Sequence, residues 1–97
     1  MQIVISPSDK PTKKFEARID GRKSVCFGQA GASDFTIHKD PMRKNIYLDR
    51  HSNNEDWHNP LTAAFYATNL LWNKPSVTES IRDTNIRFPN LNIIYKS

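Results

Sequence analysis

Residues 14–20 constrain this chain more than any other stretch. Phe15, Ala17 and Ile19 alternate with Lys14, Glu16 and Arg18, and Asp20-Gly21 follows. Strict alternation marks a strand with one buried face, and Asp-Gly is a strong signal for a tight hairpin turn. Val25 and Phe27 continue in a second strand. A two-residue loop would pair Phe15 with Cys26 and Glu16 with Val25, putting Val25 and Phe27 on the face of Lys14 and Glu16. An odd-length loop pairing Ile19 with Lys23 instead gathers Phe15, Ala17, Ile19, Val25 and Phe27 on one face. A one-residue slip flips the whole set, so burial favours the odd register.

The elements around this hairpin point to an α+β fold. In this reading a small antiparallel sheet, made of N-terminal strands and the hairpin, packs on two to three short helices in one domain spanning 1–97. Ile3-Val4-Ile5 reads as a short strand, broken by the prolines of the next segment. Phe35-Thr36-Ile37 is a further strand candidate. Asp40-Pro41 is a helix start, with Asp as N-cap and Pro in the first turn, and the helix is expected over 41–52. Asn59-Pro60 repeats the signal. Leu61, Ala64, Phe65, Thr68, Leu71 and Trp72 follow helical spacing, which predicts a core helix over 60–72. Ser76-Val77-Thr78-Glu79 is a capping box opening a helix to about Thr84. The tail around Ile86–Tyr95 is expected to add a strand at a sheet edge.

Composition narrows the function classes. A chain of 97 residues with 25% charged residues and ten aromatics suits one globular domain. No apolar run approaches a membrane span, and no signal peptide is visible at the start, so the expected setting is intracellular, without membrane partners. Cys26 is the only cysteine. It reads as a small apolar side chain, with no base beside it to make it a nucleophile. Residues 1–52 carry ten Lys/Arg against six Asp/Glu, and residues 53–97 carry four of each, so the net charge of +4 sits in the first half. That field favours anionic partners, nucleic acid first.

The candidate site is the cluster His38, Lys39, Asp40, Arg43, Lys44, Tyr47, Arg50 and His51. Arg43, Tyr47 and Arg50 stand at i, i+4 and i+7 and share one helix face, with Lys44 and His51 on the adjoining side. Cations along one helix are what phosphate contact needs. Lys14 and Arg18, from a hairpin that also holds Lys13, Arg22 and Lys23, are expected to project away from the core and to extend that surface. A solvated face with local ion pairs and a Lys-protected sheet edge are the plain alternatives. His51, Glu55 and His58 would hold a metal only if one helix ran through residue 58, which Ser52-Asn53-Asn54 and Asn59-Pro60 oppose. Asp34, Asp40 and Glu55 match no magnesium motif. No cofactor or metal is expected, and Trp57 and Trp72 read as core or interface anchors.

Two strings, Ser33–Asp40 with Arg43-Lys44, Tyr47, Arg50-His51 and Glu55-Asp56-Trp57, and Leu70-Leu71-Trp72-Asn73-Lys74-Pro75-Ser76 with Ser80–Asp83, resemble a family of small proteins encoded by large nucleocytoplasmic DNA viruses of algae and amoebae. The resemblance covers residues 14 to 86, with Phe35 where that family is expected to carry Tyr. It implies a viral origin and carries over no catalytic or binding residue. The expectation is therefore a small, non-enzymatic viral protein that binds nucleic acid by phosphate contacts with weak sequence specificity, in the host cytoplasm or nucleus or in the virion. The alternative is a minor capsid or cement subunit with a protein partner, and a metal-dependent nuclease is a remote third.

Overall fold

The computed structural model describes residues 1–52 and 56–96. Four strands, β1 (Gln2–Pro7), β2 (Lys13–Ile19), β3 (Lys23–Gln29) and β4 (Asn92–Tyr95), form one sheet in the order β3-β2-β1-β4. β1 to β3 are antiparallel neighbours, and β4 lies parallel to β1 at the edge, so the sheet is mixed. Short helices cover one face, which makes the fold α+β as the sequence indicates.

The hairpin adopts the odd register. Ile19 pairs with Lys23, Ala17 with Val25 and Phe15 with Phe27. Asp20 and Gly21 both take positive φ (51° and 68°), and the Arg22 N–H donates to the Ile19 carbonyl at 3.0 Å. The Asp20 side chain also accepts from the Gln2 N–H at 2.8 Å, tying the turn to β1. With that register, Ile3, Ile5, Ala17, Ile19 and Phe27 form a floor onto which Phe65, Tyr66, Leu70, Leu71 and Ile81 pack. Phe27 stacks on Tyr66 with ring centroids 5.5 Å apart. The Tyr66 hydroxyl donates to the Pro60 carbonyl at 2.7 Å, and burial pushes its pKa up.

Two sequence expectations are corrected. Residues Phe35–His38 form a one-turn helix, α1, rather than a strand. Asp34 caps it, accepting from the Thr36 N–H and hydroxyl, and Lys39 closes it in the left-handed region at φ 56°. A capping Asp so placed favours a turn of helix over an extended chain. α2 (Pro41–His51) then starts at Asp40, as its Asp-Pro signal predicts. The apolar helix begins later than Asn59-Pro60 suggests. Asn59 instead forms a turn, accepting from the Leu61 and Thr62 N–H groups, and Thr62 is the cap of α3 (Ala63–Tyr66). Leu61 is therefore exposed, outside the core expected for it.

From Ala67 to Leu71 the chain widens into a π-helical turn, closed by the Trp72 N–H donating to the Ala67 carbonyl at 3.2 Å. Ser76 caps α4 (Val77–Arg87) through the Glu79 N–H, and that helix runs three residues beyond the expected end. No helix among the described residues is long and apolar enough to cross a membrane.

Gly28 carries a sharp test of this packing. It has φ +78°, and a Cβ there would lie 2.9 Å from Leu71 Cδ1 and 3.3 Å from Lys14 Cβ. Gly21 has φ +68° but nothing within 4 Å. Gly21→Ala should cost about 1–2 kcal/mol for the left-handed backbone alone. Gly28→Ala should cost about 2–4 kcal/mol, because buried Leu71 must also yield. Urea unfolding of both variants checks the order; equal losses would contradict the packing described.

Candidate nucleic-acid interface

No residue of α2 is fully buried, so much of the helix faces solvent, with Lys44, Tyr47, Leu48 and His51 on its half-buried side. The Asp40 carboxylate accepts from the Met42 N–H at 3.0 Å and Pro41 fills the first turn, so the helix start is fixed. The 3.6-residue period then lines up Arg43, Ile46, Tyr47 and Arg50. These four and Trp72 line a shallow groove of about 410 Å³. Its floor is a stack: Tyr47 lies on Trp72 with centroids 4.1 Å apart and planes 3° from parallel. His51 covers Tyr47 at 4.2 Å, and His38 leans on Trp72 at 5.3 Å. This stack, together with the Lys44 bond to the Asn73 carbonyl, attaches the helix to the rest of the fold.

The predicted cations divide into two groups. Arg43 and Arg50 are exposed on the groove, and Lys39 is exposed where α1 meets α2, its ammonium donating to the Thr36 carbonyl at 3.2 Å. The others point elsewhere. Lys14 does not project into solvent; it pairs with buried Asp34 at 2.7 Å. Arg18 lies on the sheet face opposite the core, beside Glu16 at 3.3 Å, because Ala17 and Ile19 face the helices. Lys44 turns inward, donating to the Asn73 carbonyl at 2.6 Å and lying 5.1 Å from the Phe35 ring centre. Burial holds its pKa below the ordinary lysine range, Lys74 adds to that, and Asp83 opposes it.

The histidines belong to the framework. His38 Nδ1 accepts from the Asp40 N–H at 2.9 Å, which places the proton of the neutral ring on Nε2, a buried atom. His51 stacks on Tyr47. Trp72 and Ile46 are the groove residues that sequence reasoning did not assign to the site. The signal for Trp72 was its aromatic character at the end of an apolar helix, but its pairing with Tyr47 is a tertiary fact.

Among the described residues no group of three His, Cys, Asp or Glu side chains is placed to hold a metal. The His51-Glu55-His58 idea depends on Glu55, which lies outside the described residues. Asp34 and Asp40 each cap a helix, and Asp34 also holds Lys14.

A family model described as a family of unknown function (DUF5754) matches residues 3–51, from β1 to the end of α2. No curated protein and no solved structure matches the chain. The matched stretch includes Arg43, Tyr47 and Arg50, whereas Trp72 lies beyond it.

If the Tyr47–Trp72 stack holds α2, Trp72→Ala should loosen that helix before the sheet. Hydrogen exchange should show α2 amides losing protection while β1 and β2 amides keep theirs, with a global loss of about 2–4 kcal/mol for a partly buried Trp. Uniform loss of protection would contradict this attachment.

Proposed function

We propose that this chain, which belongs to the DUF5754 family of unknown function, binds nucleic acid without catalysing a reaction, through phosphate contacts along the exposed face of α2. One observation carries the reading: Arg43 and Arg50 flank a single groove, and among the described residues neither guanidinium is in an ion pair. Lys39 extends the same basic line toward the start of the helix. The net charge of +4 adds a favourable long-range field.

The aromatic stack argues for phosphate contact over base stacking. Tyr47 is covered by Trp72 on one side and by His51 on another, so its ring is committed to holding the helix. A base needs an uncovered aromatic face. Affinity from guanidinium–phosphate contacts alone carries little sequence information. The resemblance to small proteins of large DNA viruses makes a viral genome the nucleic acid we propose, met in the infected cell or in the particle.

A second reading has its own observation. Ile37, Met42 and Ile46 are 59%, 71% and 53% exposed on α1 and α2. Exposed apolar side chains of this kind, with Ile46 beside Arg43 and Arg50, suit a protein partner, such as a virion shell component. Many copies in purified particles would favour it.

Arg43→Ala combined with Arg50→Ala should weaken binding to short DNA about tenfold or more, by similar factors on unrelated sequences, in fluorescence anisotropy at low salt. A folded double variant with unchanged affinity would remove this face from consideration.

A further inference from the structure

The junction between α1 and α2 is closed by one side-chain acceptor, His38 Nδ1. We propose that His38 is a pH-sensitive latch, whose neutral ring fixes the start of α2 and whose protonation releases it. The device stands whether or not the groove on α2 binds nucleic acid.

The latch spans a sharp bend. α1 ends at His38, Lys39 follows in the left-handed region at φ 56°, and Asp40 is already the cap of α2. Across that bend the Asp40 N–H donates to His38 Nδ1 at 2.9 Å. The Asp40 carboxylate in turn accepts from the Met42 N–H at 3.0 Å. Asp40 is thus held by the imidazole and itself supplies the cap of the helix. Aromatic neighbours hold the ring, with centroids 5.3 Å away at Trp72 and 6.2 Å away at Phe35.

Nδ1 can accept only in the neutral ring. An imidazolium carries an N–H on both nitrogens and accepts at neither. Its Nδ1–H would face the Asp40 N–H, donor against donor. Its Nε2–H would have no acceptor, because Nε2 is buried and has no hydrogen-bond partner among the described residues. The surrounding charges do not offset this. Among the described residues His38 is in no ion pair. Lys39 adjoins it in the chain, and Lys44 of α2 lies over the Phe35 ring, with Lys74 adding positive charge on that side. The acids of the neighbouring elements are engaged: Asp34 with Lys14 and Thr36, Asp40 with the Met42 N–H, and Asp83 with Asn73 and Arg87. Taking up a proton therefore requires the ring to turn away from Asp40 or the Asp40 N–H to let go. Either change frees the start of α2, where Arg43 sits. The far end stays attached, since Tyr47 remains stacked on Trp72. The order contributed by the latch is present at neutral pH and is lost as pH falls through the histidine range.

The test is an NMR titration of the wild-type chain from about pH 7.5 to about pH 5, a window above the ordinary carboxylate range. The His38 ring signals and the Asp40 and Met42 amides should move together with one midpoint. Protection of those two amides, corrected for intrinsic exchange, should fall about tenfold or more, as loss of one hydrogen bond does. The Leu48 and Arg50 amides should keep theirs. His38→Asn puts a side-chain oxygen in place of Nδ1 and cannot take up a proton, so its Asp40 and Met42 amides should stay protected at about pH 5. A His38 ring that titrates without moving the Asp40 amide, a ring that does not titrate in this window, or an equal acid loss in folded His38→Asn would overturn the proposal.

Discussion

The pairing of Ile19 with Lys23 is the constraint on which the rest of the structure depends. It turns Phe15, Ala17, Ile19, Val25 and Phe27 toward one side, and only then does Phe27 meet Tyr66. Tyr66 closes α3 and leads into the π-helical turn, which ends at Trp72. Trp72 in turn receives Tyr47 and thereby holds α2. A chain of contacts thus runs from a hairpin register to the orientation of Arg43 and Arg50. A slip of one residue at Asp20-Gly21 would remove the floor from under all of it.

The same architecture sorts the cations by role. Lys14 and Lys44 face inward and bind the parts together, one through Asp34 and one through the Asn73 carbonyl. The Lys14–Asp34 pair joins β2 to the cap of α1, so removing either partner would leave a charge in a poorly solvated place. Arg43 and Arg50 remain outside with their guanidinium groups toward solvent. Net charge alone would have counted all four alike. Burial and partners distinguish the two that hold the fold from the two that face solvent.

Much of this was legible in the residues. Alternation and Asp-Gly set the hairpin and its register; Asp40-Pro41 and Ser76 with Glu79 set two helix starts; the apolar tail marked an edge strand. What escaped is what depends on partners distant in sequence. Phe35-Thr36-Ile37 looks extended by composition, yet the cap at Asp34 coils it. Asn59-Pro60 has the form of a helix start but serves as a turn, with Thr62 as the true cap. Lys14 finds Asp34 twenty residues on, and Lys44 finds Asn73 twenty-nine residues on. No periodicity within one element reports such pairings, so local pattern located the basic helix but could not say which of its charges were available.

The measurement that tests the central claim most directly is the salt dependence of duplex DNA binding by the unmodified chain. Contacts by Arg43, Arg50 and Lys39 predict that log K falls linearly with log salt, with a slope of about −2 to −3. A slope near zero, or no binding at low salt, would contradict a phosphate-binding face on α2 and move the function to the exposed apolar side chains Ile37, Met42 and Ile46.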